Sequence, residues 1–487
     1  MKTTTIYIMA LAGLAIFVQS CQDFLDKKPL SQGVAVNNSA SDSLLYKTAG
    51  DVESALAGVY ADFKNEYFML DYFVNGDAQA DDAYAGADNP ANFQIDKYTI
   101  DATNSNVSRD WADLYSTIGK ANLVISNVNL VPDPSLTAGR KKQILGEASF
   151  IRAYMYFQLV QLFGDIPLQT QTVTSFDPNK LQAILPIIFP PRTTTAEIYA
   201  QIVADLETAL GSAPTTAQDK GYVTVGAVNA MLAKVYATKE PHDWSKVKQY
   251  SDAVIAGGYT LLPSYDNLWD NTNENSAESI FEINCYGWDT GGNWGIFMFA
   301  GTDWKKFNIP SNDLVKAFVD EGDDIRKTSS VVFMNVTGSW TDSHWDAANY
   351  PFINKYRDFS GAQNFILIRL ADILLLKAEA LNETGDSPGA AALVNQIRTR
   401  VGLANTTASS QGDLRLAIEK ERRLELAFEG LRWYDLKRTG RAIDVINAVN
   451  DGSGASLGYN LTADKLIWPV PQAERDKNSK LTQNQGY

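Results

Sequence analysis

Six apolar residues, Ile144, Ala148, Ile151, Met155, Leu159 and Leu162, recur at steps of three and four along one stretch of the chain. That spacing lays them on one face of an α-helix, and such a face is stable only when buried against other elements. Gly164 and Pro167 supply the stop. A second helix opens at Thr194 with Glu197 in a capping-box pattern, and carries Ile198, Ile202, Leu206 and Leu210 up to Gly211. The same periodicity predicts helices near 224–238, 244–256, 365–384, 388–400 and 412–430.

Two of these stretches resemble each other. Helix 224–238, a short turn and helix 244–256 read like helix 365–384 followed by 388–400, with Ala233, Ala237, Ala378 and Ala380 small enough to let paired helices approach closely. A helix–turn–helix unit of this length is the tetratricopeptide (TPR) signature, here degenerate and therefore TPR-like. Between the helical blocks lie two poorly periodic regions, about 70–108 and 258–364, rich in Gly, Asn, Asp and aromatic residues. The expected fold is mainly α: a helical body with TPR-like repeats and long irregular loop insertions that carry small strands.

The chain of 487 residues has a formal charge of −15, a field that repels phosphate backbones and argues against a nucleic-acid partner. Its two histidines, His242 and His344, and two cysteines, Cys21 and Cys285, are too few for a zinc site, a His-based triad or a haem. The apolar run Ile6–Val18 after Lys2 is too short to span a bilayer and reads as a signal-peptide core ending at Val18-Gln19-Ser20-Cys21. A cysteine after a small residue there looks like a bacterial lipobox, so residues 1–20 are expected to be removed and Cys21 lipidated, anchoring the chain to a membrane. Residues 21–49 then form a tether and entry segment, and 50–487 one helical domain with a loop-rich insert at about 258–364.

Five segments in order resemble the SusD/RagB family: CQDFLDKKP at 21–29, LGEASFIRAYMYFQLVQLFGDIPL at 145–168, ILIRLADILLLKAEALNETG at 366–385, IEKERRLELAFEGLRWYDLKRTG at 418–440 and LIWPVPQAERDKNSKLTQNQGY at 466–487. The resemblance implies a SusD-like helical fold and a lipid-anchored protein on the exterior face of the outer membrane. It implies a glycan ligand, a SusC-like TonB-dependent transporter as partner, and no catalysis. The acidic and basic residues of the fourth segment (Glu419, Glu421, Arg422, Arg423, Glu425, Glu429) read as an ion-pair network rather than a catalytic carboxylate pair, and Arg152 and Tyr154 as packing and hydrogen-bonding groups.

Trp288, Trp294, Trp304, Trp340 and Trp345 are half of the ten tryptophans and fall in one loop-rich stretch, interleaved with Gly287, Gly291, Gly292 and Gly295. An exposed indole or phenol face stacks on the C–H face of a sugar while Asp, Asn or Arg satisfies the hydroxyls. With the regions the family uses, this makes Asp81, Asp82, Tyr84, Tyr286, Trp288, Trp294, Trp304 and Arg357 the candidate ligand-binding residues. Cys285 reads as a small buried apolar residue. The run Asp320, Glu321, Asp323, Asp324 reads as a solvated turn, with a structural Ca²⁺ as its alternative. No cofactor is expected. Gly385-Asp386-Ser387-Pro388-Gly389 fits the nucleophile-elbow pattern but sits between two helices, where a turn belongs. Two other functions stay open: a surface glycoside hydrolase using a carboxylate pair, and a TPR-type protein-interaction scaffold.

Overall fold

The computed structural model describes residues 44–86, 88–173, 178–300, 305–339 and 341–487. The expected signal peptide and Cys21 therefore lie outside the described residues, as do Trp304 and Trp340. The chain divides into two compact units, Met1–Leu45 with Val173–Ile188, and Tyr46–Thr172 with Phe189–Tyr487. The described part of the smaller unit contains a 3₁₀ turn, Pro178–Lys180, and a short helix, Leu181–Ile188. All elements below belong to the larger unit, which is mainly α-helical.

The apolar stripe around Ile151 becomes helix α3 (Ala138–Phe163), which follows α1 (Ala49–Ala61) and α2 (Ser105–Asn127). From Gly146 to Phe163 every residue of α3 is buried, because α1, α2 and α4 (Thr195–Leu210) all pack against it. Polar residues on a helix covered all round must find partners. Arg152 finds Asp205 on α4, with Nε and Nη2 donating at 2.8 and 2.6 Å, and Asn122 on α2, with Nη1 donating at 2.7 Å. One guanidinium thus fastens three helices. Gly164 ends α3 at φ 71°, a left-handed conformation that strains any side chain. The capping box at Thr194 and Glu197 forms as its sequence indicates.

Next come α5 (Val225–Thr238) and α6 (Trp244–Ala256), then α7 (Leu370–Glu383) and α8 (Ser387–Arg400), two hairpins that stack with α6 and α5 against α7. The 385–389 pattern is a turn: Gly385 has φ 91°, and the Asp386 side chain accepts from the Gly389 backbone N–H at 2.9 Å to cap α8. Two expected boundaries move. Phe365–Arg369 is a strand and the helix begins only at Leu370, because this apolar run pairs with Ser279–Ile283. Helix α9 (Gln411–Glu425) stops five residues early, with Phe428 at φ 63° and Gly430 at φ 70°, which turns Glu429 inward to meet Lys355 and Arg369. Helix α10 (Arg432–Arg438) follows.

Small strands do occur in the 258–364 insert. The pair that matters for the site is β1 (Ser279–Ile283) with β2 (Phe365–Arg369), antiparallel, with Ile283 opposite Phe365. In that register the loop leaving β1 lies beside the loop entering β2. The other irregular region is more ordered than its composition indicates: Tyr67–Asp71 and Val74–Ala78 are π-helical turns, buried throughout, and Pro90–Asp96 is a helix.

Candidate functional site

The loop leaving β1 begins with Cys285, which is buried as its sequence context indicates and whose backbone N–H donates to Asn364 Oδ1 at 2.8 Å. The chain then turns outward. Tyr286 is 65% exposed and Trp288 47% exposed, large aromatic surface left in water beside a fully occupied core. Phe297 and Phe359, at 40% and 45%, join them. Phe297 lies 5.4 Å from the Trp288 ring and 5.2 Å from Phe359, both within the aromatic contact range. Trp288, Phe297 and Phe359 thus form a contiguous platform, built from the segment after β1, with its short helix Gly295–Ala300, and the loop before β2; Tyr286 is exposed two residues before Trp288.

Its rigidity comes from the strand register. Asn293 N–H donates to the Gly361 carbonyl at 2.8 Å, and its side-chain amide to the Gln363 carbonyl at 2.7 Å, clamping one loop to the other. Gln363 accepts from the Arg357 and Asp358 backbone N–H groups and donates to the Lys355 and Trp269 carbonyls. The indole itself rests against two glycines: a Cβ on Gly361 would come 2.8 Å from Trp288 Cε2, and one on Gly292 would come 2.6 Å from Cε3. Only glycine permits that approach. Trp288 Nε1 donates to the Phe359 carbonyl at 3.2 Å.

Polar groups edge the platform. Asp289 is exposed. Asp358 is held by Ser360 and by Asn271, whose amide donates at 2.7 Å. Lys64 Nζ stands 5.3 Å from the Tyr286 ring centroid. Behind them, burial pushes Glu274 up to about 7, although the Asn364 backbone N–H donates to it at 2.6 Å.

The structure distributes the sequence-derived candidates unevenly. Trp288 is part of the platform, and Tyr286 is exposed two residues before it. Trp294 is half-buried and packs on the main core. Arg357 is near the platform but ion-paired to Asp266 at 2.9 Å. Asp81, Asp82 and Tyr84, expected to face ligand, are instead interior groups, 3%, 1% and 1% exposed. Arg432 grips Asp81 in a two-point contact at 2.7 and 2.9 Å, and Arg423 donates to Asp82 at 2.8 Å. Burial alone would raise Asp81, yet Arg423 and Arg432 outweigh it and hold its carboxyl below the usual range. The Tyr84 ring stacks on His344 at 4.0 Å. Sequence reasoning missed Phe297 and Phe359. Phe359, in Asp-Phe-Ser-Gly, carried a signal, an aromatic residue set in a polar turn; Phe297, in Gly-Ile-Phe-Met-Phe, looked like core.

Glu421 and Glu425 of α9, and Glu429 just beyond its end, are ion-paired, as expected. Glu421 meets Arg326 at 2.7 Å and Arg398 at 3.1 Å, Glu425 meets Arg369 at 2.6 Å, and Glu429 meets Lys355 and Arg369 at 2.7 Å. Burial would raise Glu425, but Arg400, Arg369 and Arg326 together hold it below the usual carboxylate range. In the acidic run, Asp320 pairs with Lys316, Glu321 with Arg398 and Lys420, Asp323 with Arg326 and Asp324 with Lys327. Among the described residues no group of three or more His, Cys, Asp or Glu side chains is placed to hold a metal ion.

Comparison with known proteins accords with this architecture. A model described as "SusD family" matches residues 293–487, and one described as "Starch-binding associating with outer membrane" matches 23–237. SusD-like protein P2 of Formosa agariphila is 29% identical, with 99% of each chain covered. Starch-binding protein SusD of Bacteroides thetaiotaomicron is 23% identical over 70% of this chain and 72% of its own. Among solved structures, a laminarin binding SusD-like protein aligns with a TM-score of 0.72 and 27% identity, covering 91% of this chain and all of its own. A SusD superfamily protein from Bacteroides vulgatus aligns at 0.74 and 24%, covering 90% and 99%. With the helical body, the strand-clamped loops and these matches along nearly the whole length, the chain belongs to the SusD/RagB family.

Proposed function

We propose that the protein is a glycan-binding, non-catalytic capture protein of the outer cell surface, stacking sugar rings on the Trp288, Phe297 and Phe359 platform, with Tyr286 exposed on the same segment. The observation that carries this reading is the exposure of Trp288, Phe297 and Phe359, three rings in mutual contact on segments locked by hydrogen bonds. A preformed platform loses little side-chain entropy when a ligand binds. Asp358, Asn271 and Asp289 stand ready at the edge to meet hydroxyls. Two relatives whose names specify starch and laminarin support the choice of ligand class.

The wider role is a proposal on the same footing. Cys21 carries the lipid that tethers the chain to the outer membrane, facing the exterior, and the helical body docks a SusC-like TonB-dependent transporter that receives the glycan. The engagement of Glu421, Glu425 and Glu429 by Arg and Lys supports a role without catalysis, since ion-paired interior acids are poorly suited to general acid–base work. The test is retardation in native gels containing laminarin or soluble starch. Trp288→Ala should lose about 2 kcal/mol of binding, roughly thirtyfold, with an unchanged melting curve. Equal retardation of parent and of Trp288→Ala, Phe297→Ala and Phe359→Ala variants would sink the platform.

A further inference from the structure

Beyond the C-terminal end of α3 lies a pocket of about 410 Å³, lined by residues that include Gln161, Asp165, Arg192, Tyr199, Lys437 and Asn484. It shares no residue with the aromatic platform. Its charge balance differs from that of the surrounding interior. Arg152, Lys234, Arg369, Arg422 and Arg438 each meet at least one carboxylate. Lys437 meets none among the described residues: its ammonium donates to the Gln161 carbonyl and leaves two N–H groups open. Burial, with no acid to oppose it, depresses this lysine to about 7.

Arg192 is bound in the same way, by neutral oxygens. Nε donates to the Asp165 carbonyl at 2.8 Å, Nη1 to the Thr482 carbonyl at 3.1 Å, and Nη2 to Asn484 Oδ1. Nη1 also donates to the Thr482 hydroxyl at 3.4 Å, so one of its five N–H groups, on Nη2, remains. Of the acids in the lining, Asp165 offsets part of the burial that depresses Arg192, but none meets Lys437. Asp165 Oδ1 accepts from the Thr195 backbone N–H and hydroxyl at 2.8 and 2.7 Å, and Glu240 sits at an exposed position 3.3 Å from His242. The third cation, Arg438, is engaged by Glu379 and Asp435. A partly buried cation without a counter-charge is costly, and an anion that brings one is bound by charge-assisted hydrogen bonds. Around these cations the lining mixes the hydroxyls of Thr195, Tyr199 and Thr238 and the amides of Gln161 and Asn484 with the apolar side chains of Val160 and Ile467.

We propose that this pocket is a binding site for a small hydroxylated carboxylate of monosaccharide size, a sugar acid, whose carboxylate takes the open N–H groups of Lys437 and Arg192 while its hydroxyls meet the neutral polar lining. The test is calorimetric titration of the purified full chain with sodium glucuronate, with glucose and sodium sulfate as comparison arms at equal ionic strength. Glucuronate is expected to bind at least about tenfold more tightly than glucose or sulfate. Lys437→Met should weaken it about tenfold and Lys437→Arg should restore most of the affinity. Arg192→Gln, at a partly exposed position, gives the same readout should Lys437→Met fail to fold. No glucuronate binding by the parent, glucose or sulfate binding equally well, or unchanged affinity in Lys437→Met or in Arg192→Gln would each overturn the proposal. Gel retardation on laminarin by these variants reports the platform separately, so the two sites stand or fall independently.

Discussion

Replacing Arg152 by Met tests whether the helical body is held by this one guanidinium as the geometry indicates. The substitution keeps much of the aliphatic volume and removes three donors, two to Asp205 and one to Asn122. Asp205 is 4% exposed and would retain a single side-chain donor, Gln201 at 2.8 Å. Stranding one partner of a buried pair costs about 3–5 kcal/mol. Orphaning Asn122 Oδ1 adds about 1 kcal/mol or more, partly offset by the better transfer of Met into the interior. The expected loss is about 4 kcal/mol in urea denaturation followed by circular dichroism at neutral pH, with an unchanged m-value. Arg152→Met combined with Asp205→Leu should recover at least about 2 kcal/mol of that loss, because no buried charge is then left unpaired. A single-variant loss below about 1 kcal/mol would refute the reasoning, as it would mean that water or repacking replaces the guanidinium freely.

Three further outcomes are expected. Glu274→Gln should flatten the pH dependence of stability between 4.5 and about 7: the folded carboxyl is raised to about 7, so the unfolded chain releases its proton first and stability falls as pH rises through that window. A parent melting curve that rises steadily with pH over that range, and is matched by the variant, would contradict this. Asp372, between Lys234 and Arg422, has a depressed folded pKa despite its burial, so its contribution is present above 3.8 and lost as pH falls below it; Asp372→Asn should cost stability at neutral pH and blunt acid unfolding, read by urea midpoints at pH 7 and about pH 2. Cys21→Ser should move the protein from the membrane to the soluble fraction on cell fractionation, and retention with no transporter present would exclude a lipid tether at that cysteine.

Much of the helical frame was legible because it is written in local patterns. The stripe on α3, the capping box at Thr194 and the turn at 385–389 each depend on residues within a few positions of one another. What escaped depends on contacts far apart in sequence. Phe365–Arg369 continues the apolar periodicity of α7 and becomes a strand only because Ser279–Ile283 pairs with it. Asp81 and Asp82 sit in a Gly- and Asp-rich stretch that reads as an exposed loop, and Arg423 and Arg432, more than three hundred residues later, bring them inside. The same applies to the site. Trp288 and Tyr286 were visible as aromatic residues among glycines, whereas the participation of Phe297 and Phe359 follows from the β1–β2 register, which no local pattern encodes.

The hydrogen bond from Trp288 Nε1 to the Phe359 carbonyl has a consequence for selectivity. An indole whose only donor is already taken offers a partner area and polarizability but no direction, so it grips any sugar with a clear C–H face and lets it rotate or slide at little cost. On such a surface, discrimination between linkages falls to the edge, where Asp289, Asp358 and Asn271 would have to be met by hydroxyls in one orientation. Substitutions at those three positions can therefore change which polysaccharide is held, while the aromatic rings set only how firmly.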